Sequence, residues 1–296
     1  MGKSILSADK KTSFWLLKEY RQALNNEISE HATNVFRVDG KARYHSLREI
    51  VSLLKRYLLS RPPSQHLVRY EAIWEIFQED TPNIIVEIGS YNGHDSLELS
   101  RIFSLAKIFA FEADIKNFEK VKFNVSFSGR ITAIYKAVFD HTGTARFYQS
   151  KGLNDPSAFR GSGSCLQPGE KLKNAWPDLM FDEPINVPCV KLSDWAKENN
   201  FNAIDFIWVD AQGAELSVLR GAGDLLESVH AILMEVWQKS YYEGSGCYRE
   251  IKEFLESRGF RQTHVWMEGD SGDVLFANNV TADEVWTHPA PINGPT

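Results

Sequence analysis

At 296 residues, with 43% hydrophobic and 24% charged side chains, the chain is long enough for a full α/β core and one small accessory region. Its formal net charge of -6 offers no basic field for tracking a phosphate backbone, which argues against a nucleic-acid substrate. The three cysteines, Cys165, Cys189 and Cys247, are odd in number and widely spaced, which excludes a disulfide framework and a zinc-ligand pattern.

The opening MGKSILSADKK lacks a signal-peptide core, and Leu6 stands where a myristoylation motif needs Ser or Thr. No apolar run approaches the length of a membrane span, so the expected address is cytoplasmic. Leu17, Tyr20, Leu24 and Ile28 recur at helical spacing, as do Leu47, Ile50, Val51, Leu54 and Leu58, and then Tyr70, Ile73, Trp74 and Phe77. Pro62 and Pro63 close the second of these segments. Residues 1–80 therefore read as a helical N-terminal extension that covers substrate, pairs protomers into a homo-oligomer, or only packs.

From Asn83 the pattern changes to short apolar runs separated by helical stretches: NIIVEIG, KIFAFEA, ITAIYKAV, IDFIWVDA and HAILMEVW. Such alternation predicts an α/β domain over 81–282 with a mostly parallel, Rossmann-like sheet, followed by a tail over 283–296. Between the third and fourth runs lies a long insert with FYQSKG, the GSGSC turn, the strand-like INVPCVKL and the short helix LSDWAKENN. After the fifth run come the helix REIKEFLESRG and two runs joined by EGDSGD, a turn that predicts an antiparallel final strand.

The first run ends in VEIGSYNGHDS, so a strand passes through Gly89, Ser90, Tyr91, Asn92 and Gly93 into a helix near His94 and Ser96. A strand-to-helix turn of this kind lets backbone approach a ligand and aims N–H groups at it. Tyr91 occupies the place of the second glycine of a dinucleotide fingerprint, which disfavours a pyrophosphate and suits a smaller polar group. Glu87, just before the turn, would attract the ammonium of an amino-acid tail such as that of S-adenosylmethionine. Glu112 ends the second run, where a carboxylate accepts hydrogen bonds from both ribose hydroxyls. Phe111, Ala113 and the segment Lys136–Val138, with Ala137 at its centre, either border an adenine or pack within the sheet.

At IDFIWVDAQGAELSVLRGAGDLL the chain resembles the FkbM family of methyltransferases, through Asp210, Gly213, Ala214, Glu215, Leu219, Gly221 and Ala222. The glycine loop, the FEAD acid and the AVFDHTG segment fall in that family's order, over roughly Asn83 to Asn278. Gln212 departs from it, standing where a second acid is common. The resemblance implies a class I methyltransferase fold, adenosylmethionine as methyl donor, and O-methylation of a sugar, glycan or natural-product hydroxyl.

Methyl transfer to a hydroxyl needs alignment in a dry pocket and either a general base or a divalent metal to lower the hydroxyl pKa. Asp210 and Glu235, at the ends of the fourth and fifth runs, are expected to face one crevice beyond the strand ends. They either share Mg or Mn, with Glu215 as a third ligand, or act as base and acceptor-orienting acid. Asp210 also joins the cofactor-binding set by its position. The alternatives are a helix N-cap for Asp210 and a first-turn acid for Glu215. His94 and His141 read as turn residues rather than bases, and Trp237, Tyr241 and Tyr242 either stack on a sugar or pack. Two other functions fit the same features: a nicotinamide-dependent oxidoreductase, and a binding or scaffold protein without turnover.

Overall fold

The computed structural model describes residues 64–77 and 80–278, with only the backbone of 64–67. The two helical segments expected around Leu17–Ile28 and Leu47–Leu58, and the tail over 283–296, lie outside the described residues. Helix α1 (Ser64–Ile76) leads into β1 (Ile84–Ile88), α2 (His94–Ile102), β2 (Lys107–Glu112), α3 (Ile115–Asn124) and β3 (Ile131–Tyr135). The insert follows as β4 (Ala137–Val138), β5 (Gly143–Phe147), β6 (Ser150–Gly152), α4 (Glu170–Ala175), β7 (Leu179–Phe181), β8 (Ile185–Val190) and α5 (Leu192–Glu198). The chain then completes the domain with β9 (Phe206–Val209), α6 (Glu215–Ala222), β10 (Ala231–Trp237), α7 (Tyr248–Glu256), β11 (Phe260–Glu268) and β12 (Ser271–Asn278).

The main sheet has seven strands in the order β11-β12-β10-β9-β1-β2-β3. Strands β3, β2, β1, β9 and β10 pair in parallel, whereas β12 runs antiparallel to both β10 and β11. The apolar runs are nearly continuous because helices cover both faces of the parallel strands. Val86, Ile88, Ile207, Val209, Ile232 and Met234 turn to the face that carries Trp195, Leu219 and Ile251 of α5, α6 and α7. Ile85, Ile108, Phe206, Trp208 and Leu233 turn to the other, against Tyr70 and Ile73 of α1, Leu99 of α2 and Val121 of α3.

From β1 the chain steps outward through β2 and β3, then returns to the opposite side of β1 as β9. Such a reversal opens a crevice beyond the carboxyl ends of the two strands, where ligands of open α/β sheets bind. Helix α6 packs so tightly beside it that a Cβ on Gly221 would fall 2.0 Å from the Phe139 carbonyl oxygen. That contact explains the small residue in the Leu-x-Gly-Ala stretch.

The third run differs from the single strand expected across 131–138. It divides at Lys136: β3 stays in the main sheet, and β4 leaves to pair in parallel with β8 of the insert, which pairs antiparallel with β5. The apolar pattern continues through the break because Ile131 of β3 and both residues of β4 are buried, on different partners, with Ala133 and Ile134 partly covered. The fifth run also extends beyond the expected end at Glu235, since β12 pairs with β10 as far as Trp237↔Ser271.

Candidate active site

A cavity of about 280 Å³ opens at the β1/β9 switch point, a fitting place and a modest size for a small-molecule site. Gly89, Tyr91 and Asp95 of the first turn, Phe111, Glu112 and Ala113 after β2, and Ala137 and Val138 of β4 form much of its wall. Trp208, Asp210 and Ala214 close one side, and Phe147, Arg160, Gly163 and Cys165 of the insert close another. The insert therefore belongs to the site.

The turn after β1 needs glycine at 89 for two reasons: φ is +84°, and a Cβ there would lie 1.8 Å from the Asp210 carbonyl oxygen. Its amide groups are used within the protein rather than aimed outward. Gly89 and Ser90 both donate to the Phe111 carbonyl at 3.0 Å, and the Asn92 side chain accepts from the His94 amide at 3.0 Å. Tyr91 holds a left-handed φ of 51°, an unfavourable conformation for a bulky side chain. The strain is offset by its amide, which donates to Glu112 Oε2 at 2.7 Å.

Glu112 Oε1 accepts from the Asp114 amide at 2.7 Å, so both oxygens are oriented by backbone N–H groups at the end of β2. Burial pushes its carboxyl up to about 7, against the lowering effect of those amides. A carboxylate so held keeps lone pairs for two neighbouring hydroxyls. Glu87 is elsewhere: it is buried under the turn, accepts a hydrogen bond from the Ser96 hydroxyl, and is pushed well above the carboxylate range by burial and then by Asp95. Asp95, absent from the residues singled out in the sequence, lines the cavity instead.

Asp210 lies just past β9 and is not a helix N-cap, since α6 is preceded by Ala214. The Gln212 Nε2 donates at 2.7 Å to Asp210 Oδ1 and at 2.7 Å to Glu235 Oε2, joining the two acids through one amide. Burial raises Asp210, partly offset by the hydrogen bonds from Gln212 and Glu235. Glu235 is raised well above its ordinary range by burial and then by the Asp210 charge, as two buried carboxyl groups that repel each other require. Glu215 serves the turn between them. Its Oε1 accepts from the amides of Ala211 at 3.1 Å and Gly213 at 3.0 Å, its Oε2 is buried without a partner, and burial pushes it up to about 7.

Among the described residues, no group of three or more His, Cys, Asp and Glu side chains is arranged to hold a metal ion. Asp210 and Glu235, the two acids expected as metal candidates, both accept from the Gln212 amide. Trp237 and Tyr241 pack on Trp176 of the insert, with ring centroids 5.7 and 5.2 Å away, and Tyr242 donates to the Ser162 carbonyl at 2.9 Å. These aromatic residues fasten the insert to the sheet. His141 is exposed and pairs with Asp140 at 2.9 Å.

Of the residues expected at a cofactor, Gly89, Tyr91, Phe111, Glu112, Ala113, Ala137 and Asp210 meet at the cavity. Glu87, Ser90, Asn92, Gly93 and Ser96 form its support, and Glu215 and Glu235 stand behind Asp210. The insert residues Arg160, Gly163 and Cys165 also line the cavity; the sequence marks Cys165 only as a thiol and the GSGSC turn only as part of the insert, and carries no signal for Arg160.

Residues 79–262 match the family model described as the methyltransferase FkbM domain. The chain belongs to the FkbM methyltransferase family. The 2-O-methyltransferase NoeI of Sinorhizobium fredii (strain NBRC 101917 / NGR234) is 31% identical over 219 residues, 74% of this chain and 88% of the relative. Methyltransferase sdnD of Sordaria araneosa is 26% identical over 236 residues, 70% of this chain and 86% of the relative. Among solved structures, the N-terminal domain of EvdMO1, crystallised with SAH and D-fucose, is similar at a TM-score of 0.42 and 11% identity. That match covers 80% of this chain and 99% of the domain, and the chain spans about half (49%) of the longer EvdMO1 chain. The FkbM assignment sets aside the nicotinamide-dependent oxidoreductase. No helix among the described residues is long and apolar enough to cross a membrane.

Proposed function

We propose that this FkbM methyltransferase takes S-adenosylmethionine as donor and methylates a hydroxyl oxygen of a sugar, glycan or natural-product acceptor, with Asp210 as general base. The observation that carries the reading is the Asp210–Gln212–Glu235 arrangement at the cavity wall. The cavity fits the cofactor chemically. Glu112 suits ribose hydroxyls, and the slot of Phe111, Ala137, Val138 and Phe147 suits adenine. When bound, adenosylmethionine supplies a methyl group on a positively charged sulfur.

Asp210 accepts the proton of the acceptor hydroxyl as that oxygen becomes nucleophilic. Its raised pKa makes it a stronger base than an ordinary aspartate, while Gln212 fixes both carboxyl groups. The insert limits entry of water. An oxygen acceptor is supported by the NoeI relative, named as a 2-O-methyltransferase. The clustered acids and amide, which offer several acceptors to neighbouring hydroxyls, support a polyhydroxylated one. The same bridging amide supports a base over a divalent metal.

The test is a methyl-transfer assay over a panel of glycosides and hydroxylated natural products, with Asp210→Asn as the control. Turnover on an oxygen acceptor that the substitution removes supports the reading. Turnover only on nitrogen acceptors, or full activity in Asp210→Asn, contradicts it; adenosyl-ligand binding without turnover on any acceptor favours the scaffold alternative.

A further inference from the structure

Three acids line the cavity, and the reading above gives work to two, Glu112 and Asp210. The third, Asp95, sits in the first turn of α2, and its Oδ1 accepts a hydrogen bond from the hydroxyl of Tyr70 on α1. Tyr70 precedes the family-matched segment, which begins at residue 79. Its ring is buried and lies 5.8 Å from that of Trp208, another cavity residue. Arg69, its neighbour, forms an ion pair with Asp273 of β12, and Asp273 is in register with Glu235 on β10. At the far end of the helix, Phe77 packs edge-on against Phe103 and Phe206 at 5.7 and 5.9 Å. The chain from Arg69 to Phe77 is thus seated on the sheet side of the domain, with Tyr70 reaching the acidic end of the cavity.

We infer that α1, outside the family-matched segment, completes the amino-acid end of the cofactor cavity: the Tyr70 hydroxyl fixes the Asp95 carboxylate that receives the ammonium of the cofactor. This rests on adenosylmethionine as the cofactor. The ammonium is the cofactor's cationic hydrogen-bond donor, and Asp95 is the acid of the wall left once Glu112 takes the ribose and Asp210 the acceptor hydroxyl. Because the hydroxyl occupies Oδ1, Oδ2 is left to face the ligand. Burial and the Asp95 charge raise the Tyr70 phenol far above its ordinary range, so it stays a donor at any working pH. Tyr70 acts as a positioning residue, and an Asp95 released from it would be free to turn toward the amides of its own helix.

The test compares equilibrium binding of S-adenosylhomocysteine with that of 5′-methylthioadenosine, which lacks the amino-acid tail, to the full chain and to Tyr70→Phe and Asp95→Asn. Tyr70→Phe keeps the buried ring and should weaken adenosylhomocysteine about 10-fold, and Asp95→Asn about 30-fold, the range for a hydrogen bond to a charged group. Both should leave methylthioadenosine unchanged. Equal loss for the two ligands would make Tyr70 a purely structural residue and overturn the inference, as would unchanged adenosylhomocysteine binding in both variants. A parent chain that binds neither ligand overturns the cofactor reading itself, a failure visible without any variant.

Discussion

The two ends of the cavity are built on different principles: Phe111, Ala113, Ala137, Val138 and Phe147 shape one end with apolar surface, while Asp95 and Asp210 set charge at the other. The apolar end is formed by strand termini whose positions follow from sheet register, a surface that suits the flat ring proposed for it. The acidic end depends on single hydrogen bonds, Tyr70 to Asp95 and Gln212 to both Asp210 and Glu235, so each substitution there changes one function sharply. Glu112 stands at the border, with its geometry set by the backbone and its chemistry by charge.

The largest effect should come at the acidic end. Asp210→Asn is expected to lower kcat by about 10³-fold, within the range for a lost general base, while adenosylhomocysteine affinity by calorimetry stays within about two-fold. Glu112→Ala tests the border in the opposite sense. Adenosylhomocysteine affinity should fall about 30-fold, as for hydrogen bonds to a charged acceptor, and equal losses of kcat and affinity in both variants would erase the distinction between the two ends.

A smaller effect concerns stability. Glu215 is pushed by burial from 4.5 up to about 7, so the folded state holds its proton more tightly than the unfolded chain does. Its contribution is therefore fully present below about pH 4.5 and is lost as pH rises through about 7, a difference of about 3 kcal/mol. Thermal unfolding should show Tm falling between pH 5 and 8, in the sense stated by the linkage relation, with a shallower fall in Glu215→Gln. That variant keeps an oxygen for the Ala211 and Gly213 amides. Glu112, also raised to about 7, keeps the slope from vanishing. The smallest expected effect is that of a chelator: turnover in EDTA should match turnover in magnesium, and a large loss would return the Asp210–Glu235 pair to a metal role.

The strands were legible because parallel β1, β2, β9 and β10 are buried on both faces and therefore read as unbroken apolar runs. The turn from Gly89 to Gly93, Glu112 and Asp210 were legible because strand ends carry the chemistry in such sheets, and that rule needs only local sequence. The division at Lys136 was hidden, since Ile134, Ala137 and Val138 remain apolar whichever sheet receives them. The roles of Gln212 and Glu215 were hidden for a different reason: a side chain that ties acids or amides together leaves no periodicity. Asp95 follows the last glycine of the turn closely enough that the strand-end rule, extended by one helical turn, would have found it. Tyr70 shows only as one apolar position of a helix, because its polar partner lies 25 residues away.

The most direct test of the account is calorimetric titration of the purified chain with adenosylmethionine, adenosylhomocysteine and NAD. The account predicts saturable binding of both adenosyl ligands, weakened with Glu112→Ala and kept with Asp210→Asn, and no binding of NAD; binding of NAD alone, or of none of the three, would contradict it.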